Sequence, residues 1–272
     1  MNTFGAIGAS RVTKRVSAIG IGLGSVFLLL GSCQPSRKPT TSVQTEPRVI
    51  IAPPLGRQPI LDENTAATLI NKYPTSATAY YEMGRMLHAH RRFAEAIPFF
   101  KKCIERDPLH ISAYFGLAES YRYSEPSQWT LAEQTYKDLL KLAYTAPQRV
   151  DAYMGLGNLY LDWHTKEKRE AFLVKALGAY QSAFDEDKQI SSAAYGIGIV
   201  YARKQQWDKA ERWFQKALSL AKRPREKAQA LEALANIAMV RGEKAKAEKL
   251  IEEARQAHPP YEATLWEQVE NK

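Results

Sequence analysis

The sequence predicts an all-α fold: an α-solenoid of about five helix pairs with N- and C-terminal capping helices. Three observations predict it. A pattern of large and small residues returns five times from Ala77 onward. Both small slots of the pattern hold Gly or Ala in every copy. Prolines stand where a unit ends, at Pro74, Pro108 and Pro259. Self-similarity of this kind marks stacked units, none of which buries its apolar face alone.

The first copy reads Tyr80, Met83-Gly84, Leu87, then Ala96, Phe100, Cys103-Ile104 and Pro108. The second has Tyr114, Leu117-Ala118, Tyr121, Ala132, Tyr136 and Leu139; the third has Tyr153, Leu156-Gly157, Tyr160, Ala176, Tyr180 and Ala183. The fourth has Ala194, Ile197-Gly198, Tyr201, Ala210, Phe214 and Ala217; the fifth has Leu231, Leu234-Ala235, Ala238, Ala247, Ile251 and Ala254. The small slots let two helices cross closely, and the aromatic slots fill the space between pairs. This spacing resembles the tetratricopeptide repeat, a helix-turn-helix unit.

The copies differ in length. Their paired small positions are separated by 12, 14, 19, 12 and 12 residues. Two extra residues fall around Ser124-Glu125-Pro126-Ser127 in the second copy, and seven fall between Trp163 and Phe172 in the third. Joints are lengthened near Pro147 and Pro224. Insertions in such arrays map to loops on one face, so the stacking survives them. Leu61 to Tyr73 and Glu262 to Val269, the latter with Leu265 and Trp266, read as single helices closing the two apolar ends.

Residues 1–32 read as a lipoprotein signal, 33–60 as a Pro-rich flexible tether, and 61–272 as the superhelical domain. Arg11, Lys14 and Arg15 precede fifteen uncharged residues from Val16 to Leu30, the layout of a secretory signal. The run Leu30-Gly31-Ser32-Cys33 that follows resembles the bacterial lipoprotein motif. That resemblance implies cleavage before Cys33 and acylation of its thiol, and stable attachment takes more than one acyl chain. An uncleaved transmembrane anchor competes with it, since no charge occurs between Arg15 and Arg37. Four glycines in that stretch and Pro35 beyond it argue against spanning. The residue after Cys33 is Gln34 and not Asp, which in enterobacterial lipoproteins points to the outer membrane. The expected location is the bacterial cell envelope, lipid-anchored and facing the periplasm.

The tether holds six of the fourteen prolines, and a coil of its length spans roughly 30 Å. Formal charge is +9, split evenly: +3 in the signal, +3 in the tether and +3 from Leu61 onward. A basic tether suits an anionic lipid surface, and no concentrated patch favours nucleic acid as a partner.

No catalytic constellation or metal site is readable, and no cofactor is expected. His88 and His90 stand two apart on a helix and face different ways. Gly155, Gly157, Gly196 and Gly198 resemble pieces of a nucleotide loop but fall inside first helices, where packing explains them. Cys103 takes a small core slot.

The resemblance implies a concave groove lined by the first helix of each repeat. The positions expected to line it are Tyr81, Arg85 and His88; Phe115, Glu119 and Arg122; Met154, Asn158 and Asp162; Tyr195 and Arg203; and Asn236. Tyr81, Phe115, Met154 and Tyr195 form an expected apolar stripe able to take an extended peptide or an amphipathic helix. The family's carboxylate clamp is not reproduced, because Asn158 and Asn236 are two repeats apart and its lysine is absent. The implied function is a membrane-anchored protein-protein scaffold, for pilus or secretin assembly or for organising cell-wall enzymes. An alternative is direct binding of peptidoglycan or another anionic polymer, with Trp163 and the basic residues of the Trp163–Arg169 insertion as its surface. The same segment reads equally as a solvated helix extension with Trp163 tucked on its neighbour. The repeats are equally compatible with a monomer and an oligomer.

Overall fold

The computed structural model describes residues 60–258, so Cys33, the signal, nearly all of the tether and the expected closing helix at 262–269 lie outside the described residues. Eleven helices occur among them. A single helix α1 (Glu63–Lys72) is followed by the pairs α2 (Ala77–Ala89) with α3 (Phe93–Arg106) and α4 (Ile111–Tyr123) with α5 (Trp129–Leu142). Next come α6 (Ala146–Glu167) with α7 (Glu170–Glu186), α8 (Ser191–Arg203) with α9 (Trp207–Leu220), and α10 (Pro224–Val240) with α11 (Lys244–Ala257).

Each helix packs on its neighbours in sequence, and α2, α4, α6, α8 and α10 also touch one another in turn. The second helices of the pairs make no such mutual approach. The first helices therefore form the closely spaced inner layer, and the second helices splay outside it.

The core repeats one contact. Phe100, Tyr136, Tyr180 and Phe214 are at most 1% exposed. Each lies against a small residue of a first helix. A Cβ at Gly84 or Gly116 would come within 2.9 or 2.5 Å of the Phe100 ring, from its own pair and from the next. Tyr180 sits likewise between Gly157 and Gly196, where added carbons would stand 2.5 and 2.6 Å away. Tyr136 meets Gly155 of the next pair, and Phe214 meets Gly198 of its own. Real carbon contacts do not approach so closely, so these ring positions exist only because the opposing residue has no side chain.

Helix starts are capped where the chain turns between pairs. Asp62 Oδ1 accepts the Thr65 amide at 2.9 Å. At α6, Thr145 Oγ1 accepts the Gln148 amide while Gln148 Oε1 accepts the Thr145 amide, a reciprocal capping box that also places Pro147 in the first turn. At α10, Glu226 Oε2 takes the amides of Lys222 and Arg223, with Pro224 as the first helical residue. The prolines near 147 and 224 thus start helices. The turns inside four of the five pairs share another device: Arg91, Lys168, Gln205 and Gly242 all adopt positive φ, between 55° and 77°.

The seven-residue insertion takes the helix-extension form, one of its two expected readings. It forms no loop. It extends the end of α6 and the start of α7, while the lengthened joint at Pro147 adds a further turn at the start of α6; the two helices run 22 and 17 residues. Trp163 and Phe172, at the two ends of the insertion, stack at 4.4 Å and pin the extensions together.

Candidate functional site

The inner layer presents the expected stripe unevenly. Tyr81 lies 6.1 Å from Phe100, Phe115 lies 6.0 Å from Tyr136, and Tyr195 lies 5.4 Å from Phe214. Each stripe ring therefore spends one face covering the core aromatic of its own pair. Tyr81 is also covered by His110 at 4.7 Å and is only 4% exposed, whereas Phe115, Met154 and Tyr195 are half-buried. Burial pushes the Tyr81 and Tyr195 hydroxyls up to about 12, so both stay protonated donors.

The charged positions close the N-terminal half further. Arg85 pairs with Glu82 at 2.6 Å, and both are nearly buried. Arg122 of α4 meets Glu119 at 3.1 Å and reaches across to Asp162 of α6 at 2.6 Å. Glu119 also accepts the Tyr136 hydroxyl. Burial alone would lower the Arg122 guanidinium, but Glu119 and Asp162 raise it instead, so it stays charged. The His88 ring packs edge-on against Phe93 at 5.0 Å, its Nε2 has no hydrogen-bond partner, and burial lowers its affinity for a proton. Tyr81, Arg85, Arg122 and Asn236 are all buried, so they form floor and not surface. Their register within the repeats carries no information on this, because burial depends on what the neighbouring elements lay over them. Arg203 is exposed at the end of α8.

The inner layer opens where α6, α8 and α10 meet. A cleft of about 290 Å³ is lined there by Met154, Asn158 and Leu161 of α6, by Ser192, Tyr195 and Ile199 of α8, and by Arg223, Glu226 and Gln229 at the start of α10. Three expected groove residues, Met154, Asn158 and Tyr195, come together in it. Asn158 Oδ1 accepts the Tyr180 hydroxyl at 2.7 Å, which turns the amide nitrogen of Asn158 toward other partners. Ser191 also lines the cleft but donates to the Ala217 carbonyl at 2.9 Å, locking α8 onto α9. Ile199 is readable from register: it follows the small slot directly, as Arg85, Glu119, Asn158 and Asn236 do. Ser192 and Gln229 share a register near the helix start that lies outside the expected groove positions. Arg223 and Glu226 carry no repeat signal, since they belong to the lengthened joint.

Trp163 of the insertion does not project into solvent. It stacks between Phe172 and Trp129, 6.2 Å away on α5, and its indole donates to Glu167 at 2.5 Å. Cys103 is fully buried, and burial raises its thiol to about 12. Among the described residues, no group of three or more His, Cys, Asp or Glu is placed to hold a metal, and no helix is long and apolar enough to cross a membrane.

Comparison with known proteins agrees with this architecture. Residues 77–108 and 191–224 each match the tetratricopeptide repeat. Superkiller complex protein 3 of Mus musculus is 27% identical over 141 residues, a match spanning 48% of this chain but 8% of that protein. Among solved structures, the APC/C hetero-tetramer Cut9–Hcn1 aligns with a TM-score of 0.57 at 19% identity, over 71% of this chain and 36% of that one. A thermophilic TPR protein of Thermus thermophilus aligns at 0.55 and 22% identity, over 68% of this chain and 93% of that one. MamA from Desulfovibrio magneticus aligns at 0.52 and 16% identity, over 66% and 94%. These likenesses concern the fold. The chain is an α-solenoid carrying tetratricopeptide repeats. That fold is consistent with a protein-protein interaction scaffold.

Proposed function

We propose that this chain is a non-catalytic adaptor of the bacterial cell envelope, held to a membrane by a lipid on Cys33 and binding a protein partner in its inner groove. The observation that carries the binding half is the cleft between α6, α8 and α10. There the inner layer offers apolar side chains beside polar groups, while its N-terminal half is closed by its own ion pairs. Partly apolar concave sites with a few placed polar groups are where binding energy concentrates. The Leu30-Gly31-Ser32-Cys33 run supports the anchor, and Gln34 supports the outer membrane. A tether spanning roughly 30 Å keeps the groove within reach of partners at that surface. Assembly of pili or secretins and the organisation of cell-wall enzymes are the roles this arrangement fits.

Replacing Cys33 with serine tests the anchor. The variant is expected to keep its signal uncleaved and to lack the added acyl mass. Unchanged processing would defeat the lipoprotein reading. For the groove, replacing Ser192 with arginine fills the cleft mouth, and loss of partner binding with an unchanged helical signal is the expected outcome. Retained binding would place the partner elsewhere.

A further inference from the structure

We infer that the helical array rests on anionic lipid headgroups by one edge, the edge formed by the turns inside its helix pairs. This rests on the anchoring half of the reading above and adds an orientation to it. Short turns make neighbouring helices antiparallel, so the turns inside pairs share one edge and the joints between pairs share the other. Side chains tie the turns into a row. Phe93, just after the first turn, lies 5.2 Å from Tyr123, just before the second. Trp129, after the second, stacks on Trp163 before the third, and Arg241 of the fifth reaches Asp208 beside the fourth at 2.6 Å.

Charge is divided unequally between the two edges. Residues 60–258 carry a net +5. The turn residues 90–92, 124–128, 168–169, 204–206 and 241–243 hold six cations and two carboxylates, a net +4. The joint residues 73–76, 107–110, 143–145, 187–190 and 221–223 net only +1. Arg92, Arg169 and Arg241 are paired, but Arg91, Lys168 and Lys204 make no ion pair among the described residues. Nor do Lys166, Arg203 and Lys244, which flank the turns, and of these six only Lys204 is half-buried. The opposing carboxylates are partly taken, since Glu243 meets Lys246 at 3.0 Å and Glu167 meets Arg169 at 3.3 Å.

Two observations favour a lipid surface over other anions. The chain enters the described fold at this edge, because Glu63 at the start of α1 pairs with Arg92 of the first turn at 2.9 Å. The stretch that begins at Cys33 and carries its own +3 is therefore attached beside the free cations. Exposed apolar side chains also stand on this edge: Ile60 ahead of α1, Tyr123 at the end of α4 and Val240 at the end of α10. Apolar groups interspersed with cations suit the boundary between anionic headgroups and acyl chains. The joint edge exposes Tyr73, Leu109 and Tyr144 without the excess of cations.

The test places a fluorescent label on a cysteine introduced at either end of α6, at Thr165 on the turn edge or at Tyr144 on the joint edge; Cys103 is fully buried and does not compete. The full acylated chain is reconstituted on vesicles of phosphatidylcholine, alone or with about one-third phosphatidylglycerol, containing a headgroup-quencher lipid. On the anionic vesicles the Thr165 label is expected to be quenched about threefold or more over the Tyr144 label, and raised salt is expected to remove the difference. Lys166→Glu with Lys168→Glu and Lys204→Glu is expected to remove it too, with a thermal melt checking that the fold survives. Equal quenching at the two ends, stronger quenching at Tyr144, or Thr165 quenching that persists on phosphatidylcholine alone overturns the inference. The anchor is scored separately, by retention on neutral vesicles at raised salt. Retention there without Thr165 quenching on anionic vesicles leaves the anchor standing and overturns the inference. Release there, with Thr165 quenched on anionic vesicles at low salt, defeats the anchor and supports the edge.

Discussion

The hydroxyl of Tyr180 donates to Asn158 Oδ1 at 2.7 Å, joining the core aromatic of α7 to the floor of the cleft. The ring of the same tyrosine is wedged between Gly157 and Gly196, so the residue that spaces two repeats also orients a cleft amide. Tyr180→Phe keeps the wedge and removes the hydrogen bond. The expected loss is about 1 kcal/mol of stability, from one buried acceptor left without its donor. Partner affinity should fall several-fold, because the Asn158 amide loses its fixed orientation. Urea unfolding and partner binding measured on the same variant check both halves.

The glycines of the core and of the helix surface should respond with opposite signs. A Cβ at Gly116 would lie 2.5 Å from Phe100, and one at Gly196 would lie 2.6 Å from Tyr180. Alanine at either position is expected to destabilise by about 1–3 kcal/mol through overpacking. Gly178, in the middle of α7, has nothing within 4 Å of its added carbon. Gly178→Ala should stabilise by about 0.5–1 kcal/mol through reduced backbone freedom. Chemical denaturation midpoints of the three variants would refute this spacing rule if all moved together.

Arg91, Lys168 and Gln205 occupy left-handed backbone at the turns inside pairs, where the fifth pair uses Gly242 at φ 77°. A side chain there costs on the order of 1–2 kcal/mol in steric strain. Replacing Gln205 with glycine is expected to be neutral to stabilising, because relief of strain offsets glycine's larger unfolded-state entropy. Gly242→Ala should destabilise by about 1 kcal/mol through the same strain. Thermal melts of the pair give the comparison.

Stability should fall as the pH drops below neutrality. Burial lowers both His88 and His110 from the ordinary value of 6.5. The unfolded chain then takes up protons that the fold resists, so this contribution is complete above about 6.5 and is lost as pH falls through the folded values. His110 has a further reason to stay neutral, since its Nδ1 accepts the Ala113 amide at 3.2 Å and caps α4. His88→Phe should flatten part of the slope between about pH 7.5 and 5.5 in urea titrations. A wild-type midpoint that climbs as the pH falls through that interval would contradict the assignment.

The pairing of helices was legible from residue types alone, because the small slots and the aromatic slots report the same contact from its two sides. Gly84 and Phe100 are sixteen residues apart and still specify one another. The insertion was legible as a length and, in one of two readings, as a helix extension with Trp163 tucked on a neighbour; the partner ring was not legible, because Trp163 and Phe172 are too far apart in sequence for periodicity to reveal their stacking. The site was half legible. Met154, Asn158 and Tyr195 converge as the register implied, but the same register gives no sign that Tyr81 lies under His110 or that Arg122 is drawn to Asp162. Those contacts join different repeats, and a pattern read one repeat at a time does not contain them. Arg223 and Glu226 escaped for the opposite reason, since a joint outside the pattern has no equivalent position to compare.

The central claim is that the partner sits in the cleft of α6, α8 and α10 and not on the outer layer. Site-specific photocrosslinking in producing cells addresses it directly, with the crosslinker at Ile199 in the cleft or at Val174, 61% exposed on α7. The predicted result is a discrete polypeptide adduct from Ile199, its loss when Ser192 is also replaced by arginine, and no adduct from Val174. A discrete adduct from Val174 with none from Ile199 would contradict it.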